Sequence, residues 1–280
     1  MVKLICIDAD GTLVGAGDRI AERVWTAAAR AADAGIRLAL CTGRPAFGVT
    51  RTYAERLLPD GWHAFQNGAS LVRLSTNESR SASLGDEIVM ELKRRSRRTG
   101  RILELYSDDG YAVESVSEVV LRQAEILGVP CVARSLDDFA GPVVSAQWLI
   151  PHDELFAVMS EPHDGFEVGP STAPSIPDTC FVNLTAPGID KASAVRALSE
   201  IYGCSLDDVM FVGDGMNDVA AMQIVGTPVA MGNAAPAVRA FAKYQVGDVD
   251  AGGLADALEL AIDQSRRTRP TVPAPLHASI

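Results

Sequence analysis

Two aspartates, Asp8 and Asp10, stand two residues apart where a short apolar run over residues 4–7 ends. In extended backbone, side chains two residues apart point to the same side, so both carboxylates are expected to face one direction. Carboxylates this close repel each other, and a pKa rises unless a cation lies beside them. Oxygen ligands of this kind favour Mg²⁺ over zinc, so the pair predicts a magnesium site.

A second acidic pair follows another apolar run, which covers residues 209–212. Asp214 closes that run, and Asp218 lies one helical turn further on. The carboxyl ends of parallel strands meet at one edge of a sheet, so all four acids are predicted to converge there. A helix cap or a solvated turn would explain a lone aspartate better, but it explains four acids at strand ends poorly.

Phosphoryl transfer needs more than a metal ion. Other groups must position the transferred phosphate and neutralise its charge. Thr42 follows the apolar run at residues 36–41 and offers a hydroxyl together with a nearby backbone N–H. Lys191 stands at the start of a predicted helix and offers an ammonium group, although an exposed helix lysine would be the ordinary interpretation of this residue alone. Together with the acids, these two residues indicate chemistry on a phosphate ester.

The elements that must position these residues alternate between apolar runs and helices. The runs at residues 4–7, 36–41 and 63–65 predict buried strands, and residues 20–34 predict an amphipathic helix that stops at Gly35. This alternation is typical of an α/β fold with a right-handed parallel sheet. Chemistry in such sheets collects at the carboxyl ends of the strands, where the polar residues lie.

The pattern changes after residue 80. A predicted helix over residues 86–98 is followed by two predicted strands that the turn Asp108-Asp109-Gly110 joins into a hairpin. Hairpins and mixed element order predict a separate α+β unit inserted into the parallel sheet. The predicted organisation is a discontinuous core at residues 1–80 and 187–265, an inserted unit at 81–186, and a flexible tail at 266–280.

Composition limits the partners. The net charge of −11 argues against nucleic acid and against anionic membrane surfaces, both of which require basic protein surface. The five cysteines have no zinc-site spacing and predict reduced core thiols, and no signal peptide is visible, so a cytoplasmic location is expected. The uncharged stretch at residues 219–238 contains two prolines and predicts a strand between turns, not a membrane span.

The motifs resemble those of the haloacid dehalogenase superfamily. Residues 8–12 read DADGT, which matches the first signature of that superfamily, and Thr42-Gly43-Arg44, Lys191 and the string GDGMND at residues 213–218 follow in the matching order. Asn67-Gly68-Ala69 and residues 230–234 (AMGNA) are similar to the Cof-type branch. The resemblance implies a Rossmann-like core and a large α/β cap between the second and third signatures.

The resemblance also implies roles for the acids. Asp8 would be the nucleophile that forms an aspartyl-phosphate, and Asp10 would be the general acid and then the base for the attacking water. Mg²⁺ would be bound by the Asp8 carboxylate, the backbone carbonyl of Asp10 and the Asp214 carboxylate. Asp218 would hold metal-bound water or orient its neighbours.

Phosphate binding follows from the same resemblance. Thr42, Gly43 and Lys191 would bind the phosphoryl group, with Lys191 also balancing the charge of the nucleophile. Asn217 would contact the phosphate or Lys191. Local cations, and not the acidic net charge, would recruit the substrate.

The expected function is the hydrolysis of small phosphorylated metabolites, with sugar phosphates as the leading class. Alternatives within the superfamily are a sugar phosphomutase and a dedicated phosphatase of the mannosylglycerate- or sucrose-phosphate type. From another class, the chain could be a metabolite-binding regulator with little turnover. The sequence does not determine the oligomeric state.

Two features stay open at this level. Asn183 either touches substrate or simply finishes a predicted strand, and the strand interpretation is favoured. The basic cluster between Lys93 and Arg101 is interpreted as a solvated helix end, and attraction of an anionic substrate is its alternative role.

Overall fold

The computed structural model describes residues 1–173 and 176–267. The strands are β1 (Leu4–Ile7), β2 (Arg37–Leu40), β3 (Trp62–Phe65), β4 (Ser70–Arg73), β5 (Glu78–Ser79), β6 (Ile102–Tyr106), β7 (Tyr111–Val113), β8 (Ser145–Pro151), β9 (Glu167–Ala173), β10 (Ile176–Thr185), β11 (Val209–Gly213), β12 (Thr227–Ala230) and β13 (Tyr244–Gln245). The α-helices are α1 (Glu22–Asp33), α2 (Val49–Leu57), α3 (Asp86–Thr99), α4 (Glu118–Leu127), α5 (Leu155–Met159), α6 (Lys191–Ile201), α7 (Val219–Met222), α8 (Pro236–Arg239) and α9 (Gly253–Arg267).

A five-stranded parallel sheet forms the centre of the core, in the order β13-β12-β11-β1-β2. Alternate residues of each strand enter two different clusters, as the two-residue period of extended backbone requires. Ile5 and Ile7 pack on the side of α1 and α9, whereas Leu4 and Cys6 pack on the side of α6. The predicted α/β class, with helices on both faces of a parallel sheet, is confirmed.

The third predicted strand differs from the expectation. Residues 62–65 do form β3, but β3 pairs with β4 in a separate three-stranded antiparallel sheet with β5. An isolated parallel bridge between Cys41 and Ala64 joins it to the end of β2, and the N–H of Leu40 donates to Nδ1 of His63 at 3.0 Å. Local apolarity predicts a buried strand correctly, but its pairing depends on the antiparallel return through β4, which lies outside the run.

The inserted segment contains a second five-stranded sheet, in the order β7-β6-β8-β10-β9, with antiparallel pairs throughout. One face of this sheet packs against α3 through a cluster that includes Leu92 and Trp148. The predicted hairpin is present as β6 and β7, and the separate cap region is confirmed. The residue bounds of the two units stay a prediction.

The cap and the core are in direct contact. The Phe47 ring lies 6.4 Å from the Tyr106 ring and 6.2 Å from the Tyr111 ring, both of which belong to the cap. Gly48 has φ +62°, and a Cβ there would lie 2.0 Å from the carbonyl oxygen of Leu127 at the end of α4. Only glycine allows this approach, so the loop before α2 is built to receive the cap.

Three further predictions concern the uncharged stretch at residues 219–238, the tail at residues 266–280 and the basic cluster. The stretch at residues 219–238 contains β12 between the short helices α7 and α8, and within the described residues no helix is long and apolar enough to cross a membrane. Of the predicted tail, Arg266 and Arg267 belong to α9, while residues 268–280 lie outside the described residues. Arg101 of the basic cluster is mostly buried and pairs with Glu154 and Glu161 inside the cap.

Candidate active site

Asp8 continues the ladder beyond β1, since its N–H donates to the carbonyl of Val212 at 3.0 Å. The side chain is only 8% exposed and lies at the floor of a cavity of about 420 Å³. Gly11, directly after Asp10, has φ +79°, and a Cβ there would lie 2.2 Å from an oxygen of Asp214. The glycine of the DADGT string therefore lets the first loop reach the acid that follows β11.

Lys191 bridges two of the predicted acids. Its Nζ lies 2.5 Å from Oδ1 of Asp8 and 2.6 Å from Oδ1 of Asp218, and the lysine is fully buried. The start of α6 is held by the Asp190 side chain, which accepts from the N–H of Ser193 at 2.7 Å. Burial by itself lowers the pKa of Lys191, but the two carboxylates outweigh it and the net direction is upward. The lysine is therefore a permanent ammonium group beside Asp8.

Asp218 uses both of its carboxylate oxygens within the protein. Oδ1 accepts from Lys191, and Oδ2 accepts from the N–H groups of Asp214 and Gly215, each at 2.9 Å. A Cβ on Gly213 would lie 2.4 Å from Oδ2, so the loop needs glycine to wrap around this carboxylate. This geometry favours the orienting role of Asp218 over direct metal binding.

The acids meet the requirements of a divalent cation. Single carboxylate oxygens of Asp8, Asp214 and Asp218 lie within 4.8 Å of one another. Burial, reinforced by Asp218, raises the pKa of Asp214 to about 7 and raises that of Asp8 as well. The raised pKa values mean that the positive charge near these acids does not balance their negative charge. A hard cation beside them would supply the missing positive charge. The donor set is all oxygen, which fits Mg²⁺.

Two residues orient Asp214, and the sequence reasoning did not identify either of them. The Thr12 hydroxyl donates to Oδ1 at 3.1 Å, and the Asn233 amide donates to Oδ2 at 3.1 Å and to the carbonyl of Gly11 at 2.8 Å. Both residues belong to strings that the sequence analysis singled out, Thr12 to DADGT and Asn233 to AMGNA. The strings were recognised only as family features, because spacing alone does not reveal contacts between residues of separate elements, whether 19 positions apart (Asn233 and Asp214) or 202 (Thr12 and Asp214).

The predicted phosphate ligands occupy different places. Gly43 and Asn217 line the cavity, and Asn217 donates to the side chain of Asn67 at 3.2 Å. Thr42 is 1% exposed, and its hydroxyl accepts from the N–H of Arg44 at 3.1 Å instead of lining the cavity. The phosphate-binding role of Thr42 therefore stays a prediction.

Arg44 is the most prominent residue that the sequence reasoning left without a role. Its Nε and Nη2 donate to the two carboxylate oxygens of Asp10, at 2.9 and 2.5 Å. The arginine is 7% exposed although it carries a full charge, so this fork is a fixed part of the site. The TGR string contained the signal, but only the fold brings its arginine to Asp10.

The cap supplies the roof of the cavity. Gln123 from α4, Gln147 from β8 and Asn183 from β10 line it, and Ser145 donates to Gln66 of the core at 2.6 Å. Asn183 is thus a strand residue, as favoured, and its side chain also faces the cavity. No residue between Lys93 and Arg101 lines the cavity, so the basic cluster does not contribute to it in this conformation.

Glu104 is buried behind this roof, 1% exposed, and accepts from the Tyr106 hydroxyl at 2.5 Å and from Gln123 at 3.0 Å. Burial raises its pKa from 4.5 to about 7. A carboxyl with a raised folded-state pKa binds its proton more tightly when folded, so its stabilising contribution is complete below pH 4.5 and is lost as the pH rises through about 7.

We therefore expect Glu104→Gln to raise the free energy of unfolding at pH 8 by about 1–3 kcal/mol and to change it little at pH 5. Chemical denaturation at the two pH values measures this difference. Glu118→Gln, on the exposed side of α4, is the matched control and is expected to show no pH-dependent effect. An equal effect of Glu104→Gln at both pH values would contradict the argument.

Comparison with known proteins agrees with this geometry. The profile of haloacid dehalogenase-like hydrolases matches residues 5–126 and 174–258. A 5-amino-6-(5-phospho-D-ribitylamino)uracil phosphatase of Bacillus subtilis (strain 168), YcsE, is 27% identical over 264 residues, which cover 92% of this chain and 94% of YcsE. An HMP-PP phosphatase of Escherichia coli O157:H7 is 24% identical over 241 residues, which cover 86% of this chain and 88% of that protein.

A solved structure extends the agreement to the whole fold. The crystal structure of a haloacid dehalogenase-like hydrolase from Bacteroides thetaiotaomicron superposes with a TM-score of 0.81 at 27% identity, covering 93% of this chain and 99% of that one. The matched family segments include all four predicted acids, Thr42 and Lys191. The chain belongs to the haloacid dehalogenase-like hydrolases and is a phosphatase of that family.

Proposed function

We propose that this phosphatase is a Mg²⁺-dependent phosphomonoester hydrolase in which Asp8 attacks phosphorus and becomes an aspartyl-phosphate. The observation that carries the proposal is the placement of Asp8 at the floor of the cavity, with Lys191 bonded to one of its oxygens. Within the described residues no donor is bonded to the other oxygen, Oδ2. That oxygen is therefore available as the attacking atom.

The remaining residues fit defined steps. Lys191 opposes the rise in the pKa of Asp8 that burial and Asp218 cause, and its bond to one Asp8 oxygen leaves the other oxygen free. Asp214, Asp8 and the backbone carbonyl of Asp10 would hold Mg²⁺. Bound there, Mg²⁺ would neutralise charge on the transferring phosphoryl group. Asp10 protonates the leaving oxygen and then accepts a proton from the water that hydrolyses the intermediate. The fork from Arg44 fixes the position of the Asp10 carboxyl group beside the cavity.

The substrate is proposed to be a small phosphorylated metabolite of the sugar-phosphate type. A cavity of about 420 Å³ admits a molecule of that size, and the cap covers it. The printed name of YcsE describes a phosphate carried by a ribityl chain, which is a polyol. Closure of the cap would exclude bulk water during transfer and select the leaving group.

The experiment is phosphate release from a panel of phosphorylated metabolites and from p-nitrophenyl phosphate, with Mg²⁺ and with EDTA. We expect release that depends on Mg²⁺ and is lost with EDTA. Rearranged sugar phosphate without net release would identify a phosphomutase instead. Tight metabolite binding with negligible turnover would identify a regulator, and either result would overturn the proposal.

A further inference from the structure

A row of polar residues crosses the cap sheet on the face opposite the one that packs on α3. Strand register places Glu104 opposite Gln147, Gln147 opposite Asn183, and Asn183 opposite Gly169. Residues opposite each other in neighbouring strands point to the same face of a sheet. The row therefore lies on one face, and its two amide members line the cavity above Asp8.

Hydrogen bonds link the two amides of this row to each other and to Gln123 of α4. Gln123 Nε2 donates to Gln147 Oε1 at 2.8 Å, and Gln147 Nε2 donates to Asn183 Oδ1 at 2.7 Å. Asn183 Nδ2 then donates to the carbonyl of Gly169 at 3.1 Å and to the Ser171 hydroxyl at 3.0 Å. We call Gln123, Gln147 and Asn183 the amide row. A linked chain holds each amide in one orientation, so the roof presents fixed donors and acceptors.

Two amide atoms at the cavity wall are left without a partner among the described residues. They are Oε1 of Gln123, an acceptor from the cap, and Nε2 of Gln66, a donor from the core. Buried polar groups without partners are rare, and each calls for an explanation. Both atoms are shielded from the cavity in this conformation, so a ligand hydroxyl, which is both donor and acceptor, can pair with them only if the side chains turn.

Charge is distributed unevenly around the cavity. The core wall carries Asp8, Asp10 and Asp214, and its one arginine, Arg44, is already paired with Asp10. The cap's share of the described lining contains no Asp, Glu, Lys or Arg; its titratable side chains there are Tyr106, Cys180 and His152, and Nε2 of His152 lies 2.7 Å from a backbone carbonyl. The described part of the cap roof therefore offers hydrogen bonds but no lysine or arginine to a second anionic group.

We propose that the amide row selects monophosphates whose leaving group is a neutral polyhydroxy alcohol and rejects substrates that carry a second anionic group beneath the cap. This inference rests on the proposed function, since it concerns the leaving group of that reaction. Amides satisfy hydroxyl groups in place of water, whereas a carboxylate or a second phosphate would lose its hydration without gaining a cation. Glu104 behind the row adds no positive charge for such a group.

The first test compares matched substrates on the wild-type enzyme. We expect kcat/KM for glucose 6-phosphate to exceed that for 6-phosphogluconate, and that for fructose 6-phosphate to exceed that for fructose 1,6-bisphosphate, each at least about tenfold. Equal efficiency within both pairs, with phosphate released, would overturn the inference and leave the proposed function standing. No release from any substrate, p-nitrophenyl phosphate included, would overturn both.

The second test changes the charge of the roof. Gln147→Lys is expected to raise the 6-phosphogluconate to glucose 6-phosphate ratio of kcat/KM at least about tenfold, because the new ammonium group pairs with the carboxylate. Gln223→Lys adds the same charge at an exposed position outside the cavity lining, and its ratio is expected to match the wild type. An unchanged ratio in Gln147→Lys would contradict the assignment.

A third variant removes the hydrogen bonds without adding charge. Gln147→Leu is expected to raise KM for glucose 6-phosphate several-fold more than KM for p-nitrophenyl phosphate, which has no hydroxyl groups to recognise. A general structural defect would instead change both substrates alike. Equal changes in KM for the two substrates would therefore refute the role of the row in recognition.

Discussion

Replacing Asp8 with asparagine is expected to lower kcat by at least about 10⁴-fold, since the amide is a poor nucleophile and the covalent route is lost. The fold should survive, because asparagine has nearly the same shape and its carbonyl oxygen can still accept from Lys191. Steady-state phosphate release with Mg²⁺ measures the first expectation, and the midpoint of thermal unfolding measures the second.

The matched control is Asp33→Asn, which makes the same chemical change at an exposed position near the end of α1. Its kcat should equal that of the wild type. Rapid quenching of wild-type enzyme with labelled substrate should also trap label on the protein, and the Asp8→Asn protein should trap none. Ordinary turnover by Asp8→Asn would remove Asp8 as the nucleophile.

Removing the ammonium group at position 191 is expected to have the largest effect on stability. In Lys191→Met, the carboxylates of Asp8 and Asp218 would remain buried without their shared cation, since both now lie within 2.6 Å of Nζ. Breaking a buried ion pair from one side costs about 3–5 kcal/mol, because the remaining charge is uncompensated. The free energy of unfolding in urea with EDTA measures the loss, and kcat should fall as well.

Lys3→Met provides the comparison. Lys3 also forms an ion pair, with Asp208 at 2.7 Å, but its side chain is 53% exposed. Water solvates the two groups of such a pair almost as well when the pair is broken, so this variant should cost far less stability than Lys191→Met. Adding Asp218→Asn to Lys191→Met should recover part of the lost stability. If Lys191→Met costs no more than Lys3→Met, the buried cation does not stabilise these acids.

Strand ends were predictable because local pattern decides them. A continuous apolar run such as residues 4–7 can only be buried on both faces, and it must end where polar residues begin. Parallel order then follows from the helices between the runs, and the carboxyl ends gather at one edge. The predictions that Asp8 and Asp214 lie close together and that a cap is inserted required no other information.

Pairing beyond the local pattern was not predictable. The run at residues 63–65 predicts a strand, yet the antiparallel return through β4 decides which sheet it joins. The Thr42 hydroxyl accepts from the N–H of Arg44, a local turn contact that spacing does not reveal, and its contact with phosphate stays a prediction. Such contacts depend on backbone direction at single residues.

By itself the sequence determined the chemical inventory of this protein: an acidic cluster at strand ends, one lysine to balance it, and an inserted unit above it. Only the tertiary structure decided which of these residues form hydrogen bonds with one another. The fork from Arg44 to Asp10, the bond from Asn233 to Asp214 and the amide row of the cap each join residues from separate elements. Periodicity fixes which side of an element a residue occupies, but a hydrogen bond depends on the packing of two elements to within a fraction of an ångström.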